Sequence, residues 1–535
     1  MHPALKQHDI VALVFAQLDN EESYETRLTT NFVEGSLDRC RLERSQRQTM
    51  LSCALTCRFF KEPAMDILWK ELDSPTPLLR LISCCRGIDG RLVLNGPLIS
   101  EELERFRNHA RRVRTLRYEC SRTDMIDPLV FSRLSLYLGT PILPRLRTLV
   151  WEISSRSAVP LTLITPSMEC ICILFRWDCG TMTILDHTTA TLGIELLYKT
   201  LVTTCASIKT IHICGLYLEL PPVVQLTVFR SLKSLTLITS RYLEGLRVPG
   251  GSLFSHEQLA TLSEVADLVH LRLDVTGLTV IGTAQYRFRS LAHVTLLGYP
   301  CNISTVLDAI QSSPITKISL VLFGYDEEVG VMLRTIGFPS LKVLAVELSE
   351  WIDYEPLFPE PLAAHHLLES LLKCRDLERL HIETELLPVS MRDHHIWSMA
   401  QAWPHLIDLS WNFESEPNPP TVASLVAFMK HCPNLNRLSI PIDLTISLPD
   451  NLSFSTHGLE VLKARGPWNP ECEYDAAQWL VCLFPNLNSI EMMDAVAGSN
   501  VDDLLEVYQA LQRERSMLVK QFTSSCHAEQ ENARV

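Results

Sequence analysis

No stretch of about 18 uninterrupted apolar residues occurs in this 535-residue chain. A helix needs roughly that length to cross a bilayer, so no membrane span is expected. Positive charge is also scarce: 48 Lys+Arg stand against 62 Asp+Glu, a formal net charge of -14. A surface of that sign repels phosphate backbones and anionic lipid, which argues against nucleic acid and membrane as partners. The apolar segment Ile10 to Leu18 lacks the flanks of a secretion signal, because Asp9 precedes it and Asp19, Glu21 and Glu22 follow it. Cytoplasmic or nuclear residence is the expectation.

Metal and catalytic signatures are missing as well. The 17 cysteines are odd in number, and the close pairs Cys53/Cys57, Cys84/Cys85 and Cys170/Cys172 have no second pair at zinc-ligand spacing. They read as buried thiols of a reducing compartment. His365-His366 with Glu369 lacks a third ligand nearby. G-x-x-x-x-G-K-[ST], G-x-S-x-G and H-E-x-x-H are all absent. The chain is therefore expected to be no enzyme, with no catalytic residues, no metal and no cofactor. The basic run from Arg105 to Arg117 lacks the regular aromatic interleaving that base stacking needs, and reads as a helix entering the first repeat.

What the sequence has in abundance is one recurring frame: apolar, two others, apolar, one other, apolar. It opens at Val113-Leu116-Tyr118 and Leu146-Leu149-Trp151, and recurs every two to three dozen residues through Leu341-Leu344-Val346 and Leu406-Leu409-Trp411 to Leu487-Ile490-Met492. A proline stands two residues before it at Pro144, Pro166, Pro339, Pro404, Pro433 and Pro485. Proline there ends a helix and turns the chain extended. Helical patterns such as Val422-Leu425-Val426-Met429 precede several frames, so the unit is helix, proline-marked turn, short strand. This is similar to the leucine-rich-repeat arrangement. An all-helical repeat of HEAT type would lack the period-2 element.

The usual repeat Asn is replaced by Ser349, Glu385, Glu414 and Asp443 in four units, so the stacking is expected to be irregular. From Asn500 to Phe522, Leu504, Tyr508, Leu511 and Leu518 fall near one helical face and read as a terminal cap.

The N-terminus carries a different pattern. Ile10, Val14 and Leu18 share one helical face; a second helical pattern runs through Leu51, Leu55 and Phe59; a third segment, Met65 to Leu72, follows Pro63, which suits a first helical turn. Three short helices bury little alone, so part of this apolar surface needs a partner. These residues resemble an F-box. Its first helix is matched by Asp9, Ile10, Val14, Phe15 and Leu18, and its second part by Cys57, Arg58, Phe60, Leu68 and Trp69. The layout also resembles basidiomycete fungal F-box proteins, through "CRFFKEPAMDILWKELDSPTPLL", "ISEELERFRNHARRVRTLRYE" and "LPRLRTLVW". The family's Leu-Pro pair would fall on Lys6 and Gln7, and about thirty polar residues, Asn20 to Gln48, separate its first two helices.

The resemblance implies a substrate receptor of a cullin–RING (SCF-type) ubiquitin ligase. Ile10, Val14, Phe15, Leu18, Leu55, Cys57, Phe60, Leu68 and Trp69 would hold a Skp-type adaptor, and through it a cullin. A repeat scaffold unconnected with ubiquitin is the alternative, with the helices merely capping the repeats. The expected fold is α/β: a three-helix F-box over 1–72 with an insertion at about 20–48, a helical linker over 73–112, an irregular leucine-rich-repeat solenoid over 113–498, and a capping helix and tail over 499–535. Strand alternation puts the residues between the apolar frame positions on the opposite sheet face. In the later repeats these are Arg379, His381, Glu383, Asp408, Asn412, Lys463, Arg465 and Glu491. They are candidates for contact with a protein client, and Lys463 with Arg465 would suit an acidic or phosphorylated segment.

Overall fold

The computed structural model describes residues 44–119, 125–153, 161–175, 184–216, 226, 228–239, 255–278, 285–323, 328–348, 362–415, 419–443, 455–465, 473–492 and 504–513. The chain forms two compact units, 1–249 and 250–535. Each is built on a parallel sheet whose register follows the repeated frame.

In the first unit, Leu116, Leu149, Ile171, Ile211 and Leu235 are lateral partners on successive strands. In the second, Leu271, Val294, Ile318, Leu344, Leu380, Leu409, Leu438, Leu462 and Ile490 are likewise aligned. The frame residues named here are at most 5% exposed. One repeat buries three such side chains, each worth about 1.5–3 kcal/mol. Ordering its backbone costs about 1–2 kcal/mol per residue, so only stacking on neighbours stabilises it. The prolines act as expected: helix Asp393–Ala402 ends just before Pro404, and Cys432 closes helix Ala423–His431 just before Pro433.

Among the described residues the strand pairing shifts register at two places. Pairing shifts between Cys214 and Leu216, where Gly215 adopts φ 84° and a Cβ would collide with the Phe175 carbonyl. It shifts again between Thr384 and Pro388.

The N-terminal region departs from the expectation in several ways. Helix α1 spans Arg44–Thr56 and α2 spans Arg58–Leu68. The insertion expected over 20–48 therefore ends before Arg44. Pro63 does not open a helix; it lies inside α2, which starts earlier because Cys57 caps it through its Sγ, accepting from the Phe59 N–H at 3.3 Å. Pro63 and Ala64 are buried, so packing carries the helix past the N–H that proline lacks. The helix does not reach Leu72. Glu71–Leu72 is a strand, paired with Thr115 and Leu116, and the Lys70 carbonyl accepts from the N–H groups of Arg114 (2.8 Å) and Thr115 (3.0 Å). This pairing joins the helices to the first repeat within one unit, so no boundary falls at 72.

The segment 73–112 is not simply helical. Between the helices Thr76–Leu79 and Ser100–Ala110 lies an antiparallel hairpin, Cys85–Ile88 with Arg91–Leu94. Its turn residues Asp89 and Gly90 have φ of 49° and 75°. Consecutive positive φ values suit the right-handed twist of a hairpin, and Asp-Gly supplies them at low steric cost. Glu102 accepts from the Ser83 N–H (3.0 Å) and hydroxyl (3.1 Å), tying this segment to the helix.

At the far end of the second unit, helix 504–513 buries Leu504 and Tyr508. The Tyr508 hydroxyl donates to the Phe484 carbonyl at 2.8 Å and accepts from the Leu487 N–H at 3.1 Å, beside the last frame. Leu518 lies outside the described residues. Burial pushes the Cys172 thiol well above its ordinary range, and Cys205 and Cys432 up to about 12.

Candidate interaction surfaces

Helices α1 and α2 pack through Met50 and Ala64, with Cys53, Ala54, Phe60, Ile67 and Leu68 partly buried around them. Three large apolar residues of the pair lie outside that core. Leu51 is 51% exposed, Leu55 80% and Phe59 49%. Leu51 and Leu55 stand at i and i+4, so they share a face. Sequence reading placed the three in one helical pattern, but they divide between two helices and none of them enters the core.

The adaptor candidates thus fall into distinct environments. Leu55 is at the surface. Cys57 is a cap, and Phe60 and Leu68 belong to the small core. Trp69 closes α2 and lies against His109, with ring centroids 4.2 Å apart. Ile10, Val14, Phe15 and Leu18 lie outside the described residues. Leu51 and Phe59 join Leu55 as exposed apolar groups that were not among the candidates. Their spacing is the same whether a face is core or surface, so the difference cannot be read from it.

This helical pair is held on the first repeat by charge. Arg112 donates to the carboxylates of both Glu62 and Asp66 on α2. Burial alone would lower the Arg112 pKa, but these hydrogen bonds and charges outweigh it and raise it. The hydrogen bond to Arg112 also holds the Glu62 carboxyl below its usual range. Burial, then the Arg112 charge, lowers His109. Its ring therefore meets Trp69 as neutral imidazole at physiological pH.

The second candidate surface is the sheet face of unit 250–535. Register places Ser319, Ala345, His381, Ser410, Ser439, Lys463 and Glu491 in one lateral row. Arg379 and Asp408 are partners in the row before it, and Glu383 and Asn412 in the row after. Arg465 stands beside Pro441. The structure therefore brings the eight client candidates onto neighbouring strand positions. Arg379, Glu383 and Glu491 are exposed, while His381, Asp408, Lys463 and Arg465 are half-buried.

Several of these charges are already engaged. His381 Nε2 lies 3.0 Å from Glu383 Oε1, and Lys463 Nζ 2.7 Å from Glu491 Oε2. Lys463 is thus not a free cation awaiting an acidic client; its neighbouring strand supplies the counter-charge. At the other end of the same sheet His270, His293 and Lys317 are lateral partners, and the two rings meet at 4.4 Å. Burial, then repulsion from His293 and Lys317, lowers His270 to about 4. Burial and Lys317 lower His293 as well.

Among the described residues no group of three or more His, Cys, Asp or Glu could hold a metal ion, and no helix is long and apolar enough to cross a membrane.

No family model matches the chain, and no curated protein matches it. Among solved structures it is similar to a chain of the LRIM1/APL1C complex, at 14% identity and a TM-score of 0.30, over 79% of this chain and 67% of that one. It is also similar to a chain of the TLR13–ssRNA13 complex, at 14% identity and a TM-score of 0.33, over 72% of this chain and half (50%) of that one. The repeat assignment rests on the strand register described above.

Proposed function

We propose that the chain is a non-catalytic adaptor: its N-terminal helices bind a Skp-type protein of a cullin–RING ubiquitin ligase, and its later repeats bind a protein client. The observation that carries this reading is the exposure of Leu51, Leu55 and Phe59 on a helical pair resembling an F-box. Large apolar side chains left exposed on small helices, two of them on one face of α1, suit a protein-binding surface. The fixed mount supplied by Arg112 and the Glu71–Leu72 strand suits a presenting role, because a partner on the helices is then held against the first repeat.

The exposed face also provides a cleaner test than Leu68 or Trp69, whose replacement would disturb internal packing. Leu51→Asp with Leu55→Asp should weaken binding of a purified Skp-type adaptor by ~2 kcal/mol or more, as for anchor residues at interfaces. Isothermal titration of the full chain would measure this, with circular dichroism to confirm the fold. Undiminished binding by the folded double variant would end the F-box reading.

A repeat scaffold without a ubiquitin link is the second reading. It is favoured by the continuity of α2 with the first strand, which makes the helices a serviceable end cap. Affinity purification from the native cells separates the two: adaptor and cullin among the partners support the first, and client proteins alone support the second.

A further inference from the structure

The basic run that reads as an ordinary helix entry contributes to a cleft of about 410 Å³ in unit 1–249, lined by Glu62, Asp66, Ile67, Lys70, Arg111, Arg112, Arg114 and Arg145. Five of these side chains are cationic and two are carboxylates, on a chain whose net charge is -14. Both carboxylates are committed to Arg112, which is the least exposed of the ion-pairing arginines in this region. That leaves Arg111, Arg114 and Arg145 in excess.

The strand register explains why they converge. The Lys70 carbonyl takes the Arg114 N–H, and the Arg114 carbonyl takes the Arg147 N–H at 2.7 Å. Lys70, Arg114 and Arg147 are therefore neighbours along the edge where the strands begin. The first carboxylate on that edge is Glu169, which is shared between Arg147 (3.7 Å) and Lys209 (2.6 Å). Arg114 directs one amino group to the Arg145 carbonyl at 3.3 Å. Burial, then repulsion from Arg145 and Arg147, lowers the Arg114 pKa. An anion seated among these groups would relieve that repulsion.

We propose that this cleft is a binding site for a phosphate-bearing ligand, with Arg111, Arg114 and Arg145 as its principal contacts. Guanidinium forks match phosphate oxygens in pairs, and a tetrahedral dianion can accept from several arginines at once. The cleft volume lies within the range of small-molecule sites and exceeds what a single phosphate fills. The ligand therefore carries more than one phosphate, or one phosphate on a larger body such as a protein side chain. This site is separate from the apolar face proposed for the adaptor and does not depend on that assignment.

The test is calorimetric titration of the full chain with three probes: inorganic pyrophosphate, a phosphoserine peptide beside its unphosphorylated form, and citrate. Saturable binding of pyrophosphate, or of the phosphopeptide over its control, is expected, and the better probe identifies the source of the phosphate. Arg114→Gln with Arg145→Gln should weaken it at least tenfold, whereas Arg105→Gln, elsewhere in the same basic run, should leave it unchanged. Arg111→Gln serves as a second variant should the double one fail to fold. Three results would overturn the proposal: no saturable binding of either phosphate probe, citrate binding as tight as pyrophosphate, or equal loss in Arg105→Gln.

Discussion

The two units use the same frame and treat the opposite sheet face differently. In unit 1–249 the residues between the frame positions are sealed: Arg117 is 5% exposed, Val150 1%, Cys172 0%, His212 3% and Thr236 4%. In unit 250–535 the equivalent positions Arg272, Thr295, Ser319, Ala345, His381, Ser410 and Lys463 are half-exposed and Glu491 is exposed, while Ser439 in the same row is buried at 7%. The register is set by the Leu-x-Leu alternation and is the same in both. Whether the second face stays wet is decided separately. Among the described residues the more exposed sheet face is that of unit 250–535.

The sharpest way to break this contrast is to place the same charge at equivalent positions. Thr236→Asp buries a carboxylate on a sealed face and should destabilise unit 1–249 by ~3 kcal/mol or more. Ser319→Asp, on the half-exposed face, should stay within ~0.5 kcal/mol. Chemical denaturation of both variants measures the difference, and equal effects would show that the faces are alike.

Acid should produce the next largest effect. His270 and His293 have folded pKa values below the ordinary histidine value of 6.5, His270 at about 4. The unfolded chain then binds more protons between about pH 6.5 and 4, so stability present above that window is lost as pH falls through it. Lys317 on the neighbouring strand adds to the penalty, while Asp274, on the His270 strand, carries the opposite charge. The melting temperature of the unit holding this pair should fall from pH 7.5 to pH 5, and His270→Asn with His293→Asn should flatten the slope. An unchanged slope would remove the pair as its cause. The smallest effect is expected at Lys463→Ala. Its half-exposed pair with Glu491 should contribute no more than about 0.5–1 kcal/mol, read from the same denaturation curves.

The repeats were legible because a frame of three apolar residues, punctuated by proline, leaves little choice of strand and phase. The hairpin at Cys85–Leu94 was equally legible in principle. Its signal is the Asp89-Gly90 pair, which flanking segments that read as helical obscure. The N-terminal helices were harder. Pro63 reads as a helix start, and only the capping geometry of Cys57 reveals that the helix began earlier. The exposure of Leu51, Leu55 and Phe59 could not be recognised, because exposure depends on what the rest of the chain packs against. The same holds for the basic cleft. Arg145 is remote in sequence from Arg111, and strand pairing alone brings them together.

The direct passage from α2 into the strand Glu71–Leu72 has a mechanical consequence. Only Trp69 and Lys70 separate the helix from the sheet, and the Lys70 carbonyl is already fastened to the Arg114 and Thr115 amides. There is no slack in that joint. A pull applied to the helical pair along the strand direction loads the bonds to Arg114 and Thr115 together in shear, with the Arg112 ion pairs strained alongside them. The joint should resist as one element and then yield abruptly, so that the head stays taut against the first repeat under tension.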